Sequence, residues 1–280
     1  MARTDSTDST RNTESAEGTD VFADLRAEGD ALDALVAELD DKQWESPTPA
    51  EGWTIADQIG HLASTDELAV LAATDRDAFA AALPDLLALL QAGLEAGVSS
   101  GRRGGERGAE LLARWRTGRA DALAALAGHP PGTRFPWFGP PMSPAAMASG
   151  RLMETWAHGG DVADALGVRR EPTGRIRHIV RLGVLARDHA FGTHGLPAPA
   201  VPFRIELSAP DGSVWAYGPE DAPQTVTGPA ADFARLATRR LHRDDTALKA
   251  VGADAHRWLD IAQAFVGDPG DGRARGRRTT

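Results

Sequence analysis

The spacing of apolar residues changes near residue 197, and this change limits the folds that the chain can adopt. Before it, apolar residues recur every three or four positions, which predicts amphipathic helices. After it, Phe203–Leu207 alternates apolar and polar residues as a half-buried strand does, and Asp211–Gly212 predicts a hairpin turn. We therefore predict an α+β protein, with a helical bundle at residues 20–196 and a small α+β domain at residues 197–266.

Apolar periodicity and capping residues locate the individual elements. Helices are predicted at residues 20–39, 54–74, 78–96, 109–127, 143–167, 175–194, 229–240 and 255–265, and strands at residues 203–207, 213–217, 224–227 and 248–251. The first helices suggest a four-helix bundle, an architecture that builds metal sites from inward-facing side chains. The polar segment 1–19 and the Gly-rich segment 267–280 are predicted to be disordered tails.

The composition excludes several classes of function. The 280 residues include no cysteine, which rules out disulfides, Cys-ligated zinc and a cysteine nucleophile, so that any thiol chemistry must use an external thiol. The net charge is −10 and no basic aromatic patch is present, which argues against binding to nucleic acid. There is no apolar run of the roughly 20 residues that a membrane span requires, and no apolar leader. We expect a cytoplasmic protein without a membrane partner.

The segment Ser143–Gly167 carries the residues on which a functional prediction can rest. Ser143 suits a helix N-cap and Gly167 a helix end. Glu154 and His158 are four residues apart, so a helix places both on one face, and both are ligand types for a divalent transition metal. His61, near the middle of another predicted helix, is the natural third ligand. Three protein ligands with one open position are typical of catalytic zinc.

Two carboxylates are predicted to orient these histidines. Asp57 and Asp161 each lie about one turn from one of the histidines, and a carboxylate commonly holds a metal-binding imidazole in place. Spacing alone leaves alternatives open: Asp161 could replace Glu154 as the ligand, and Glu154 with His158 could be a solvated pair. The proline-rich and aromatic loop Gly128–Met142 leads into this helix and can lie over the site.

Two motifs resemble those of a known family. Trp53–Leu62, WTIADQIGHL, resembles the second-helix motif of the DinB-like family. Glu154–Val162, ETWAHGGDV, resembles the metal motif of its mycothiol-dependent maleylpyruvate isomerase branch. The resemblance covers about residues 21–265. It implies a DinB-like four-helix bundle followed by a small C-terminal α+β (sterol-carrier-like) domain.

The resemblance also implies a cofactor and a reaction type. Its metal ligands correspond to His61, Glu154 and His158, the metal is usually zinc, and the co-substrate is a low-molecular-weight thiol such as mycothiol. The implied enzyme is a metal-dependent thiol transferase or isomerase, in which a thiolate adds to a small electrophilic substrate and is then eliminated after bond rotation or retained. Two alternatives are a thiol-independent metal-dependent isomerase, lyase or cyclase of secondary metabolism, and a non-catalytic metal- or ligand-binding protein.

Family members also use an arginine from the C-terminal domain. The segment Gly228–Arg243 is similar to that region, which makes Arg240 or Arg239 the candidate catalytic residue. Arg235 and Arg243 compete for the assignment. The substrate, the identity of the metal and the oligomeric state are not indicated by any motif.

Overall fold

Eight helices precede the first strand in the described part of the chain, and a small sheet with two more helices follows. A computed structural model of the protein describes residues 20–96, 101–265, 267, 270 and 272–276, apart from the side chains of residues 89–96. The helices are α1 (Val21–Val36), α2 (Asp41–Trp44), α3 (Ile55–Thr74), α4 (Arg76–Ala96), α5 (Gly108–Ala127), α6 (Pro144–Ala165), α7 (Ile176–Leu185), α8 (Arg187–Thr193), α9 (Ala230–Ala237) and α10 (Ala253–Ile261). The strands are β1 (Phe203–Ser208), β2 (Val214–Tyr217), β3 (Gln224–Pro229) and β4 (Lys249–Val251), with a short 3₁₀ turn at Arg243–Asp245.

Helices α1, α3, α5 and α6 form the predicted four-helix bundle. Leu32, Ile59, Leu111 and Val162, one from each of these helices, are fully buried in one apolar cluster. Such interdigitated side chains fix the relative positions of the helices, and thereby the side chains that α3 and α6 direct toward each other. Among the described residues, no helix is long and apolar enough to cross a membrane.

The C-terminal sheet has the strand order β2-β1-β3-β4. The predicted turn joins β1 and β2 as an antiparallel hairpin, in which Gly212 adopts a φ of 83°. β1 and β3 run parallel, and β4 pairs antiparallel with β3. Phe233 of α9 and Trp258 of α10 are buried against the sheet. The α+β fold class is therefore confirmed.

The prediction of one continuous helix at residues 175–194 is wrong. The chain turns at Ala186, which separates α7 from α8 without a glycine or proline to mark the break. After the turn α8 packs on α10, and Arg187 lies over the ring of Phe203 at 4.7 Å. Tertiary packing thus outweighs the helical pattern here. Phe191 of α8 and Leu152 of α6 belong to the same buried cluster as the sheet, and α7, which packs on both α6 and α9, connects the helix that carries Glu154 to the C-terminal region.

One of the two segments predicted to be tails has described residues that contact the bundle. Residues 1–19 lie outside the described residues. Of segment 267–280, the described part makes specific contacts with the rest of the chain. Arg273, only 9% exposed, binds Asp161 at 2.6 Å and Asp164 at 2.8 Å, and both carboxylates belong to α6. A side chain from beyond the sheet is therefore fixed on this helix.

The N-cap of α6 gives a first prediction. The Ser143 hydroxyl accepts a hydrogen bond from the Ala146 N–H, which would otherwise have no partner at the start of the helix. Ser143→Ala is expected to lower the free energy of unfolding by about 1 kcal/mol. Urea denaturation measures this loss. Ser149→Ala is the control, because this half-buried serine of the same helix donates only to the Ala145 carbonyl and caps no free N–H group. An equal loss in both variants would contradict the capping role.

Candidate metal centre

Helices α3 and α6 bring His61, Glu154 and His158 together. Their ligand atoms all lie within 4.8 Å of one another. Glu154 Oε2 is 3.5 Å from His61 Nε2 and 3.2 Å from His158 Nε2. The two imidazole centroids are 4.6 Å apart. The side chains face each other across the contact between the two helices.

These separations fit a zinc ion. With metal–ligand distances of roughly 2.0–2.2 Å, the ligand atoms of a tetrahedral site are about 3.4 Å apart. The measured 3.2 Å and 3.5 Å are close to that value. Two imidazole nitrogens and one carboxylate oxygen are also a donor set that zinc accepts. The residues therefore fit the metal that the sequence motifs imply.

The site also favours the protonation states that bind a metal. Burial alone would raise the pKa of Glu154, but hydrogen bonds with His158 and His61 bring it well below its usual range. Burial, together with electrostatic interactions with His61 and Arg240, lowers the pKa of His158 to about 4. At neutral pH the site therefore presents an anionic carboxylate and a neutral His158 imidazole, as metal binding requires.

Gln58 fixes the tautomer of His158, a role that the sequence did not indicate. His158 Nδ1 lies 2.5 Å from Gln58 Oε1, while Gln58 Nε2 donates to the Thr48 hydroxyl at 2.8 Å. The Thr48 hydroxyl in turn donates to the Trp53 carbonyl. Because Gln58 Oε1 can only accept, Nδ1 must carry the imidazole proton, which leaves Nε2 free to bind a metal. Gln58 precedes His61 by three residues and therefore lies on the same face of α3. This spacing is the sequence feature that could have suggested a role for Gln58 in the site.

Trp53 forms one wall of the site. Its ring stacks on His158 at 5.9 Å and meets the His61 ring edge-on at 5.6 Å. The residue lies just before α3, where Thr54 is the N-cap. This placement limits the side from which a ligand can reach the two histidines.

The comparisons with known proteins agree with this geometry. A family model described as the mycothiol maleylpyruvate isomerase N-terminal domain matches residues 25–163, which contain all three candidate ligands. A protein of Mycobacterium tuberculosis, present in two strains and described there as uncharacterized, is 53% identical over 251 residues, covering 90% of this chain and 97% of that protein. This chain belongs to the mycothiol maleylpyruvate isomerase family. A second model, described as wyosine base formation, matches residues 199–251.

Solved structures show the same fold. The crystal structure of the mycothiol-dependent maleylpyruvate isomerase superposes with a TM-score of 0.51 at 15% identity, covering 82% of this chain and 91% of that one. A histidine-to-alanine mutant of that enzyme superposes with a TM-score of 0.50 over the same shares. The likeness in fold therefore extends over more residues than the helical bundle alone contains.

The two carboxylates expected to orient the histidines are engaged elsewhere. Asp57 accepts hydrogen bonds from the backbone N–H and the hydroxyl of Thr54, and so caps α3. Asp161 binds Arg240 at 2.9 Å and Arg273 at 2.6 Å. Burial would raise the pKa of Asp161, but these arginines and His158 lower it below its usual value. The contact that orients His158 comes from Gln58, and Asp161 instead joins α6 to the two arginines.

The arginines proposed for the C-terminal region differ in position. Arg240 is tied to Asp161, one turn after His158, and also donates to the Thr238 carbonyl at 2.7 Å. Arg239 has a left-handed φ of 63° and donates to the Gly270 carbonyl at 2.9 Å. Of the two, Arg240 is the one that the structure connects to the helix bearing Glu154 and His158.

The aromatic loop expected over the site packs at another part of the bundle. Phe135, Trp137 and Phe138 belong to a cluster that also contains Phe79 of α4. Trp137 stacks on Phe79 at 5.6 Å, and Phe135 and Met142 exchange backbone hydrogen bonds. The loop thereby anchors the entry to α6, and the wall next to the histidines is Trp53.

Gln58 gives a second prediction. Gln58→Ala removes the acceptor of the His158 Nδ1 proton, so zinc affinity is expected to fall about 10- to 100-fold. Competition with a chromophoric chelator measures the affinity. Gln58→Glu keeps an acceptor at this position and is expected to bind zinc more tightly than Gln58→Ala. Equal affinities for the alanine variant and the unmodified protein would contradict the role.

Proposed function

We propose that this protein is a divalent-metal-dependent enzyme, with zinc as the favoured metal, that uses a low-molecular-weight thiol of the mycothiol type. It would isomerise a small electrophilic substrate or transfer the thiol to it. The observation that carries the proposal is the convergence of His61, Glu154 and His158 at metal-ligand separations, within the region matched by the mycothiol isomerase model.

The three side chains would hold the metal, and each is suited to this role. The Nε2 atoms of the two imidazoles and one Glu154 oxygen supply the donor atoms. Gln58 keeps His158 in the required tautomer. A divalent ion with three protein ligands keeps a position for a water or a thiol, whose pKa it lowers when bound.

Other residues would position and enclose the reactants. The ring of Trp53 shields one side of the histidines and restricts water there. Arg240, held by Asp161, is the positive group best placed to bind a substrate carboxylate or to stabilise an enolate as it forms. The chain has no cysteine, so the nucleophilic sulfur must come from the co-substrate.

The proposed chemistry concerns the N-terminal region of the chain. The wyosine match covers the strands but none of the three candidate ligands, so the proposed chemistry rests on the N-terminal match. The predicted cytoplasmic location is kept as part of the proposal, because small thiols are maintained in reduced form there.

The proposal is tested on zinc-loaded protein with mycothiol as the thiol. Maleylpyruvate serves as the substrate for isomerisation and monochlorobimane as the acceptor for thiol transfer, with mass spectrometry detecting products and adducts. We expect turnover that requires both zinc and thiol and is absent in His61→Ala. Turnover without thiol would instead favour the thiol-independent alternative. Tight zinc binding with no product from either substrate would favour a non-catalytic metal-binding protein.

A further inference from the structure

We propose that a second cavity, beside α6 but outside the metal centre, binds a small organic carboxylate with an apolar body. The cavity lies between α6, α9 and the segment that joins α6 to α7, and Arg235 is the residue that we assign to the carboxylate. The described residues that line it include neither His61 nor Glu154 nor His158. The proposal does not depend on the proposed function and can be tested on metal-free protein.

Four guanidinium groups line this cavity, and three of them already have carboxylate partners. Arg170 and Arg175 both bind Glu28, which is almost completely buried, Arg175 at 2.7 Å. Arg240 binds Asp161. Carboxylates of the protein therefore hold these three guanidinium groups in place, which makes this part of the cavity wall rigid.

Arg235 differs from these three arginines. It is half-buried on α9, and across the described residues no carboxylate forms an ion pair with it. Asp164 is an acidic group in the same wall, but its carboxylate binds Arg273 at 2.8 Å. Arg235 attracts the Asp164 carboxylate over a longer distance but forms no direct ion pair among the described residues. A half-buried guanidinium of this kind, lining a cavity, is suited to accept an anion from outside, because it presents several N–H donors in a fixed plane.

The remaining wall favours an organic anion over an inorganic one. Trp156, Val168 and Pro172 place apolar surface around the cavity, and Val168 is 41% exposed. A ligand that covers these side chains removes apolar surface from water, which bare phosphate cannot do. A carboxylate joined to a small ring or short aliphatic chain matches both the charge and the apolar wall.

This cavity lies on a different face of α6 from the candidate ligands. Trp156 and Gly160 line it, whereas Glu154 and His158 face α3. Arg240 lines the cavity and also holds Asp161. An occupant of the cavity would therefore contact the arginine that we place nearest the metal centre.

The test uses the full chain in metal-free form, with benzoate, acetate and inorganic phosphate as probes. Isothermal titration is expected to show saturable binding of one benzoate, weaker binding of acetate and still weaker binding of phosphate. Arg235→Ala should weaken benzoate binding about tenfold or more, equivalent to about 1.4 kcal/mol. Arg257→Ala removes the same charge from an exposed position on α10 and should leave the affinity within about twofold.

A second measurement covers the case in which Arg235→Ala does not fold. In the unmodified protein, benzoate should shift the indole N–H resonance of Trp156, assigned by comparison with Trp156→Phe. The proposal is overturned if benzoate does not bind saturably, if its binding leaves Trp156 unaffected, or if Arg235→Ala binds it unchanged. Phosphate binding as tight as benzoate would overturn the assignment to an organic carboxylate.

Discussion

Replacing His158 by alanine is expected to weaken zinc binding at least about 100-fold. Structural zinc sites with four ligands bind with roughly 10–16 kcal/mol, so one ligand contributes about 3 kcal/mol, equivalent to about two orders of magnitude. The variant loses a largely buried imidazole whose Nε2 lies 3.2 Å from Glu154 Oε2. Chelator competition and metal analysis of the purified protein measure the loss.

A matched control comes from another histidine. His178 is similarly sheltered and binds Asp24 at 2.9 Å, but it does not belong to the group of candidate ligands. His178→Ala should keep the zinc affinity of the unmodified protein. If His158→Ala and His178→Ala bound zinc equally well, the three-residue site would be refuted.

The same histidine predicts a pH dependence of stability. The pKa of His158 in the metal-free fold is about 4, below its ordinary value of 6.5, because burial disfavours the charged imidazole. The unfolded chain therefore takes up this proton first as the pH falls. The contribution of His158 to stability is complete above about pH 6.5 and is lost as the pH falls toward 4. Urea denaturation across this range should show a smaller acid loss in His158→Ala.

Breaking the ion pair between Arg151 and Asp66 is expected to have the largest effect on stability. Both side chains are almost fully buried in the bundle, and Arg151 Nε lies 2.8 Å from Asp66 Oδ1. Arg151→Met leaves a buried carboxylate without its cation, which typically costs about 3–5 kcal/mol. Urea denaturation of the metal-free protein at pH 7 measures the loss. Arg116→Ala removes a more exposed partner of Asp33 and is expected to cost no more than about 1 kcal/mol.

The pH dependence of this variant identifies the cause of the loss. Burial raises the pKa of Asp66 even in the intact pair, although Arg151 opposes the shift. Without Arg151 the pKa should rise further, and the folded state then binds the proton more tightly than the unfolded state does. The stability of Arg151→Met should therefore improve as the pH is lowered and decline as the pH rises. A double replacement, Arg151→Met with Asp66→Leu, should recover most of the loss. A loss below about 1 kcal/mol in the single variant would contradict this account.

The sequence predicted those parts of the site that depend on regular local geometry. Glu154 and His158 could be paired because helix spacing is fixed, and His61 because its position near an apolar stripe directs it inward. Asp57 shows where this reasoning stops. The position of Asp57 in the sequence allowed it either to orient His61 or to cap α3. In the structure its carboxylate accepts a hydrogen bond from the Thr54 N–H at the start of the helix, and so caps α3.

The remaining contacts arise from packing between distant segments. Glutamine and tryptophan occur in many structural settings, so Gln58 and Trp53 do not by themselves indicate a metal site. They contact His158 only because α3 packs against α6. Arg273 lies in a segment whose composition is typical of disorder, yet it finds two carboxylates on α6. The break at Ala186 likewise follows from the packing of α8 on α10. Such contacts depend on tertiary structure and leave no periodic pattern in the sequence.

The position of Trp53 has a practical consequence. Its indole is the fluorophore that stacks on His158. Among the described residues, the other indoles that pair with an aromatic ring, Trp137 and Trp258, pair with phenylalanines. A paramagnetic ion such as Co²⁺, which accepts the same nitrogen and oxygen donors as zinc, would quench an emitter this close. The emission difference between the protein and Trp53→Phe should therefore follow site occupancy. The protein contains its own optical reporter of metal loading, and affinities can be titrated in solution without attaching a dye.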